Sequence, residues 1–152
     1  LHAVAKSRRE QWNAYRQLSV PAVIFTGDFE TIGRTPEPSG DGVLHGIGVS
    51  NYITEGEVVI VESPQDSQAI ERLHAGCIVV TQTTDPAWTP VLSIIGQQGG
   101  LVTEVGGQLA HGAIYCREMG IAAVLNVPDA RARLRNGMRV RVNGQQGTVE
   151  IL

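Results

Sequence analysis

The stretch that decides the fold runs from Leu101 to Val124, LVTEVGGQLAHGAIYCREMGIAAV. An apolar run, Leu101–Glu104, ends in Thr103 and Glu104, and a Gly106-Gly107 turn follows it. A helix-like segment, Ala110–Met119, begins around His111, and a second apolar run spans Ile121–Val127. Strand, turn, helix and strand in so short a span is the repeating unit of an α/β fold. Working outward, further strand-like runs occur at Leu44–Val49, Val58–Glu62, Cys77–Gln82, Met138–Val142 and Thr148–Leu152. Helix-like stretches lie at Ser67–Leu73, Trp88–Ile95 and Asp129–Arg135. Pro128-Asp129 reads as a helix start and Gly137 as a helix exit. Asn143-Gly144 is a hairpin signal between the last two strands, which argues against a purely parallel sheet. The expectation is an α/β domain over residues 43–152 with mixed sheets and short helices.

Ahead of it, residues 1–18 read as a helix, with Val4, Trp12, Tyr15 and Leu18 apolar among charged neighbours. Residues 19–42 read as an extended linker, because Pro36, Pro38, Ser39, Gly40 and Gly42 crowd together and bury little. The chain of 152 residues has a net charge of −3, which offers no long-range attraction to nucleic acid or to an anionic membrane. No apolar run approaches the ~18 residues of a membrane span. Leu1 to Glu10 lacks the apolar core of a signal peptide, and no initiator methionine is present, so the chain reads as a piece of a longer protein. Cys77 and Cys116 read as buried free thiols in a reducing cytoplasm.

Chemistry concentrates at His111. Glycines at a strand-to-helix turn let backbone approach a ligand, and the free N–H groups of a helix's first turn favour an anion. A phosphoryl group on the imidazole there would meet the N–H groups of Gly112 and Ala113. Neutral histidine is a competent nucleophile near pH 7, and a hydrogen bond to one ring nitrogen fixes the tautomer of the other. A lone histidine beside a Gly-Gly turn also serves as a capping or packing residue, and the pattern alone leaves both readings open.

The ordered motifs add to this. Thr103-Glu104, Gly106-Gly107, His111 followed by small Gly112-Ala113, and Cys116-Arg117-Glu118-Met119-Gly120-Ile121 resemble the phosphohistidine signature of the phosphoenolpyruvate-utilising enzymes. Upstream, Thr84-Asp85-Pro86-Ala87-Trp88-Thr89-Pro90 resembles the segment after the central strand in the phosphoenolpyruvate synthase and rifampicin phosphotransferase groups, and residues 136–144 and 147–152 resemble their closing strands. The resemblance covers about residues 43 to 152. It implies a swivelling β/β/α domain whose histidine carries phosphate from an ATP-grasp-like nucleotide-binding domain to a separate acceptor-binding domain. ATP and magnesium are then expected for the intact enzyme and no cofactor or metal on this chain, which lacks a nucleotide-binding loop. The expected setting is cytoplasmic, without nucleic-acid or membrane partners. The rifampicin group ends with this domain whereas the synthases continue into a barrel, so a natural terminus at Leu152 would favour the former layout.

Departures from the resemblance are specific. Leu109 and Ala110 stand where relatives place a hydroxyl residue before the histidine, Ala122-Ala123 replaces Pro-Ala, and Asn126 replaces glycine. The missing hydroxyl motivates a second reading, a binding module that keeps the fold without phosphotransfer. A self-sufficient hydrolase is the weakest reading, since no Ser–His–Asp or Cys–His pattern is anchored. Expected supporting residues are Gly112, Ala113, Arg117, Thr84, Thr103, Glu104, Gly106 and Gly107. Arg117 either binds phosphate or anchors the helix to a nearby carboxylate. Asp85 caps the helix containing Trp88, with Thr84 beside it lining the site. Glu104 either orients an imidazole N–H or is repelled by the phosphate it would face. Trp88 reads as a packing anchor.

Overall fold

The computed structural model describes residues 2–16 and 42–152. The chain divides into two units, 1–37 and 38–152. The first carries helix α1, His2–Arg16, as the apolar spacing predicts. The expected linker over 19–42 lies, apart from Gly42, outside the described residues.

The second unit is built on eight strands: β1 Val43–His45, β2 Ile47–Gly48, β3 Ile53–Ile60, β4 Ile78–Thr81, β5 Gly100–Thr103, β6 Ala122–Leu125, β7 Arg139–Asn143 and β8 Thr148–Ile151. Four helices join them: α2 Ser67–Ile70, α3 Thr89–Ile95 with a 3-10 turn at Pro86–Trp88 before it, α4 His111–Met119 and α5 Ala130–Arg133. The strand order is β1-β8-β7-β3-β4-β5-β6-β2. β3 to β6 run parallel, and every other pairing is antiparallel. The mixed sheet of the sequence reading is therefore present.

Strand β3 joins the two halves. Its first residues, Ile53–Glu57, pair with β7, and its last, Val58–Ile60, pair with β4. Within the first part Gly56 lies under the carbonyl of Gly76, so close that no β-carbon fits. The sequence reading recovered only the apolar end of this strand, because Glu55, Gly56 and Glu57 are poor strand formers. Those glutamates belong to the solvent face of the β3–β7–β8 layer. Arg141 stands directly opposite Glu55 and Glu150 in register, and its guanidinium donates to both carboxylates at 2.8 and 2.9 Å. Cross-strand pairing of this kind helps fix register.

Side-chain alternation along the parallel strands separates two cores. Cys77, Val79, Leu101, Ala123 and Leu125 face α3 and α4, with Leu92, Ile95, Ala113, Cys116 and Trp88 packed on them. Ile78, Val80, Val102, Ala122 and Val124 face the other way, against Leu44, Val140, Val142, Val149 and α5 through Ala130. Helices, sheet and sheet thus stack in three layers, the β/β/α arrangement expected from the resemblance.

Smaller differences from the sequence reading have local causes. The single run expected over Leu44–Val49 is two strands, since Gly46 breaks it where a β-carbon would lie 2.5 Å from the Leu125 carbonyl. The hairpin at Asn143-Gly144 forms, but its loop spans residues 144–147 and the left-handed residue is Gly147, at φ 71°. Gly144 is required by close approach to Ser50 instead. α5 begins directly after Pro128-Asp129, where the sequence places a helix start, but its N-cap Asp129 is left-handed and makes no side-chain cap. α5 itself ends at Arg133, short of Gly137.

Candidate functional site

The C-terminal ends of β4 and β5 feed two loops that converge on the N-terminus of α4. His111 is the first residue of that helix and its side chain is exposed. The helix's first backbone bond runs from the Ile114 N–H to the Ala110 carbonyl at 3.1 Å. Ahead of it, the N–H groups of His111, Gly112 and Ala113 meet no acceptor among the described residues. Ala110 is the N-cap, with φ −62° and ψ 149°, and offers no side-chain cap. The result is a helix end whose donors are vacant and whose first side chain is an accessible imidazole. Such an end attracts an anion.

The loop from β5 is held by its own side chains. Thr103, buried at the strand end, donates through Oγ1 to the Val105 carbonyl at 3.0 Å, and its own carbonyl accepts from Val127 N–H at 2.9 Å. Gly106 follows at φ 153°, with Thr103 Oγ1 3.3 Å from where a β-carbon would stand. Gly107 accepts from the Ala110 N–H at 2.9 Å and has open space around it. Thr103, Gly106 and Gly107 therefore shape the turn that presents His111.

Glu104 is placed elsewhere. Strand alternation sends Leu101 and Thr103 toward α4 and Val102 toward α5, and Glu104 continues the α5 side. Its Oε1 accepts from the Arg131 N–H at 2.9 Å, and its Oε2 accepts from Arg131 Nε and Nη2 at 3.0 and 2.8 Å. Arg131 also pairs with Glu62, and these carboxylates hold its guanidinium pKa above the usual value, the Glu104 hydrogen bond first among the causes. Both Glu104 oxygens are thus occupied by one arginine, and no imidazole bond to Glu104 is present.

Arg117 is exposed and donates from Nη2 to the Gln108 carbonyl at 2.8 Å. It ties the later turns of α4 back to the loop before His111 through a carbonyl, where one of the two sequence readings has a carboxylate. Beside it opens a half-enclosed cleft of about 380 Å³, lined by Ser50, Asn51, Tyr52, Gln108 and Gln145 among others. His111 does not line this cleft.

The loop after β4 reaches the site from the other side. Asp85 accepts from the Ala87 N–H at 2.8 Å and caps the 3-10 turn, and Trp88 is buried in the core, the two structural roles the sequence favours. That cap holds the neighbouring Thr84 over α4. A β-carbon added to Gly112 would overlap Thr84 Oγ1 and lie 3.2 Å from Leu101 Cδ2. Sequence reasoning named Gly112 only for its N–H; its lack of a side chain is what admits the threonine. No spacing rule signals this, since the two residues sit in different loops.

Other titratable groups stand apart. Cys116 and Cys77 are free and buried, and burial pushes the Cys116 thiol up to about 12. Among the described residues no three His, Cys, Asp or Glu side chains converge as a metal site, and no helix is long and apolar enough to cross a membrane.

Residues 73–147 match the family model described as PEP-utilising enzyme, mobile domain, and the chain belongs to that family. Among its relatives, rifampicin phosphotransferase of Streptomyces sviceus is 37% identical over 150 residues, which is 98% of this chain and 16% of the relative. The corresponding protein of Bacillus subtilis is 36% identical over 151 residues, 99% of this chain and 17% of the relative. Phosphoenolpyruvate synthase of Aeropyrum pernix is 35% identical over 124 residues, 79% of this chain and 14% of the relative. The chain thus spans about a sixth of the length of these two rifampicin phosphotransferases. Among solved structures, aconitase X of Thermococcus kodakaraensis in its holo form superposes with a TM-score of 0.54 at 23% identity, over 72% of this chain and 98% of that one. That likeness concerns the fold alone.

Proposed function

We propose that this domain is the phosphocarrier of a multidomain, ATP-dependent phosphotransferase, with His111 as the residue that is phosphorylated. The observation that carries the reading is the exposed imidazole on the first residue of α4, beside backbone donors that have no acceptor. A neutral ring nitrogen of His111 attacks phosphorus, an N–P bond forms, and the P–O bond to the donor's leaving group breaks. In the second step an acceptor hydroxyl attacks the same phosphorus, loses its proton to solvent or a partner base, and the N–P bond breaks. Splitting the transfer lets two partners with different substrates share one carrier.

On this reading the labour is divided among domains. Nucleotide and magnesium belong to an ATP-grasp-like domain, and the acceptor to a third domain, either in the same polypeptide or in a partner. The relatives named for rifampicin and for phosphoenolpyruvate support two acceptor classes, an antibiotic hydroxyl and pyruvate. Coverage favours the first, since the match to the rifampicin group extends over 98% of this chain and that to the synthase over 79%. The supporting residues divide as follows: Gly112 and Ala113 donate to the phosphoryl oxygens, Thr103, Gly106 and Gly107 shape the presenting turn, and Arg117 and Glu104 brace the loop through Gln108 and Arg131.

The test uses phosphate-labelled ATP and a nucleotide-loading domain from a rifampicin-type relative. The expected product is an acid-labile, base-stable phosphate on the native chain and none on His111→Ala. Label retained by His111→Ala would refute the reading, and an unlabelled native chain would favour the alternative of a binding module without phosphotransfer.

A further inference from the structure

We propose that Thr84 supplies the hydroxyl that holds the phosphoryl group on His111, in place of the residue before the histidine, where Leu109 and Ala110 offer none. The inference rests on the phosphocarrier reading and deepens it by one named contact. A phosphoryl group has three strongly accepting oxygens. The first turn of α4 presents free N–H groups at His111, Gly112 and Ala113, and because each phosphoryl oxygen accepts more than one hydrogen bond, a hydroxyl beside them would find an acceptor as well.

Thr84 stands against that first turn. Its Oγ1 occupies the space that any side chain at Gly112 would need, so it lies against the second residue of the helix, one position from His111. The hydroxyl has no hydrogen-bond partner among the described residues, and Thr84 is half-buried and open to solvent on one side. Its backbone is fixed by the Asp85 cap at one end and by the pairing of Thr81 with Thr103 at the other. An unpaired hydroxyl held beside vacant backbone donors is a donor in waiting. Hydrogen bonds to the more highly charged form of a group favour that form, so the bond would show in the ionisation of the bound phosphate.

The experiment phosphorylates the full 152-residue chain with phosphoramidate, a small-molecule phosphoryl donor to imidazole, and titrates the product by phosphorus NMR. The phosphoryl group's second ionisation falls near neutral pH. Thr84→Val should raise its midpoint by about one unit, the scale of one hydrogen bond to a charged acceptor. Thr84→Ser should keep the native midpoint. Circular dichroism establishes that each variant is folded, and Thr84→Ala, with the same expected rise, replaces valine if that variant is not. A native midpoint in a folded variant lacking the hydroxyl overturns the role of Thr84 and leaves the phosphocarrier reading standing. No phosphohistidine on the native chain, with His111→Ala as the control, overturns both.

Discussion

Gly112→Ala is the sharpest probe of the site, because two opposing effects can be worked out beforehand. Alanine in a helix gains about 1 kcal/mol over glycine. Against that, the new methyl group would overlap Thr84 Oγ1 well inside the 3.0 Å that real contacts respect, and would press Leu101 Cδ2 at 3.2 Å and Thr84 Cβ at 3.3 Å. Leu101 is a fully buried core residue, so it is Thr84 that must rotate or the helix end that must shift. Overpacking of this kind costs about 1 to 3 kcal/mol. The net expectation is a loss of roughly 1 kcal/mol. Removing the hydroxyl and γ-methyl by Thr84→Ala relieves the overlap, so in that background Gly112→Ala should be neutral or stabilising. Urea denaturation of the four proteins forms a double-mutant cycle, with an expected coupling of about 1 to 2 kcal/mol. Additivity within about 0.5 kcal/mol would refute the claim that Thr84 occupies the missing side-chain space of Gly112.

Two other outcomes are expected. Thr81 is 1% exposed and its Oγ1 has no hydrogen-bond partner among the described residues, so Thr81→Val should stabilise the domain by roughly 1 kcal/mol in the same assay; a loss of stability would mean the hydroxyl is paired. Burial raises the Cys116 thiol from 9.0 to about 12, which makes the folded state bind more protons than the unfolded one between those values. Its contribution is therefore constant below about pH 9 and falls as pH rises from there toward 12, and at pH 8 Cys116 should react with iodoacetamide only after unfolding. Rapid alkylation of the native protein at that residue would contradict the burial argument.

Much of the fold was legible because the parallel strands are apolar and short, and each is punctuated by glycine or proline. The run Leu101–Glu104, the turn at Gly106-Gly107 and the helix from His111 could be read almost to the residue. The first half of β3 could not, since Glu55 owes its place to Arg141 across the sheet. The site divides in the same way. Asp85 and Trp88 act over a few residues, and local pattern was enough to assign them. Glu104 was harder: its neighbour Thr103 faces α4, but one step along a strand reverses direction, and its partner Arg131 lies 27 residues on. Period-two alternation alone would have turned Glu104 away from His111. Nothing comparable pointed from Gly112 to Thr84, because a contact between two loops leaves no trace in spacing.

The bare N-cap at Ala110 has one more consequence. A helix that lacks a capping side chain is completed by whatever anion arrives, so on the proposed function phosphorylation and capping of α4 are the same event. Linkage then sets a limit on the carrier. Every increment by which the helix end and its loops grip the phosphate deepens the well from which it must next depart. A carrier that binds its cargo tightly lowers the cargo's transfer potential, while one that binds it loosely loses it to water. An exposed imidazole with a few light donors and no dedicated cap lies between these extremes, and each donor added to this site would trade speed of delivery for security of transport.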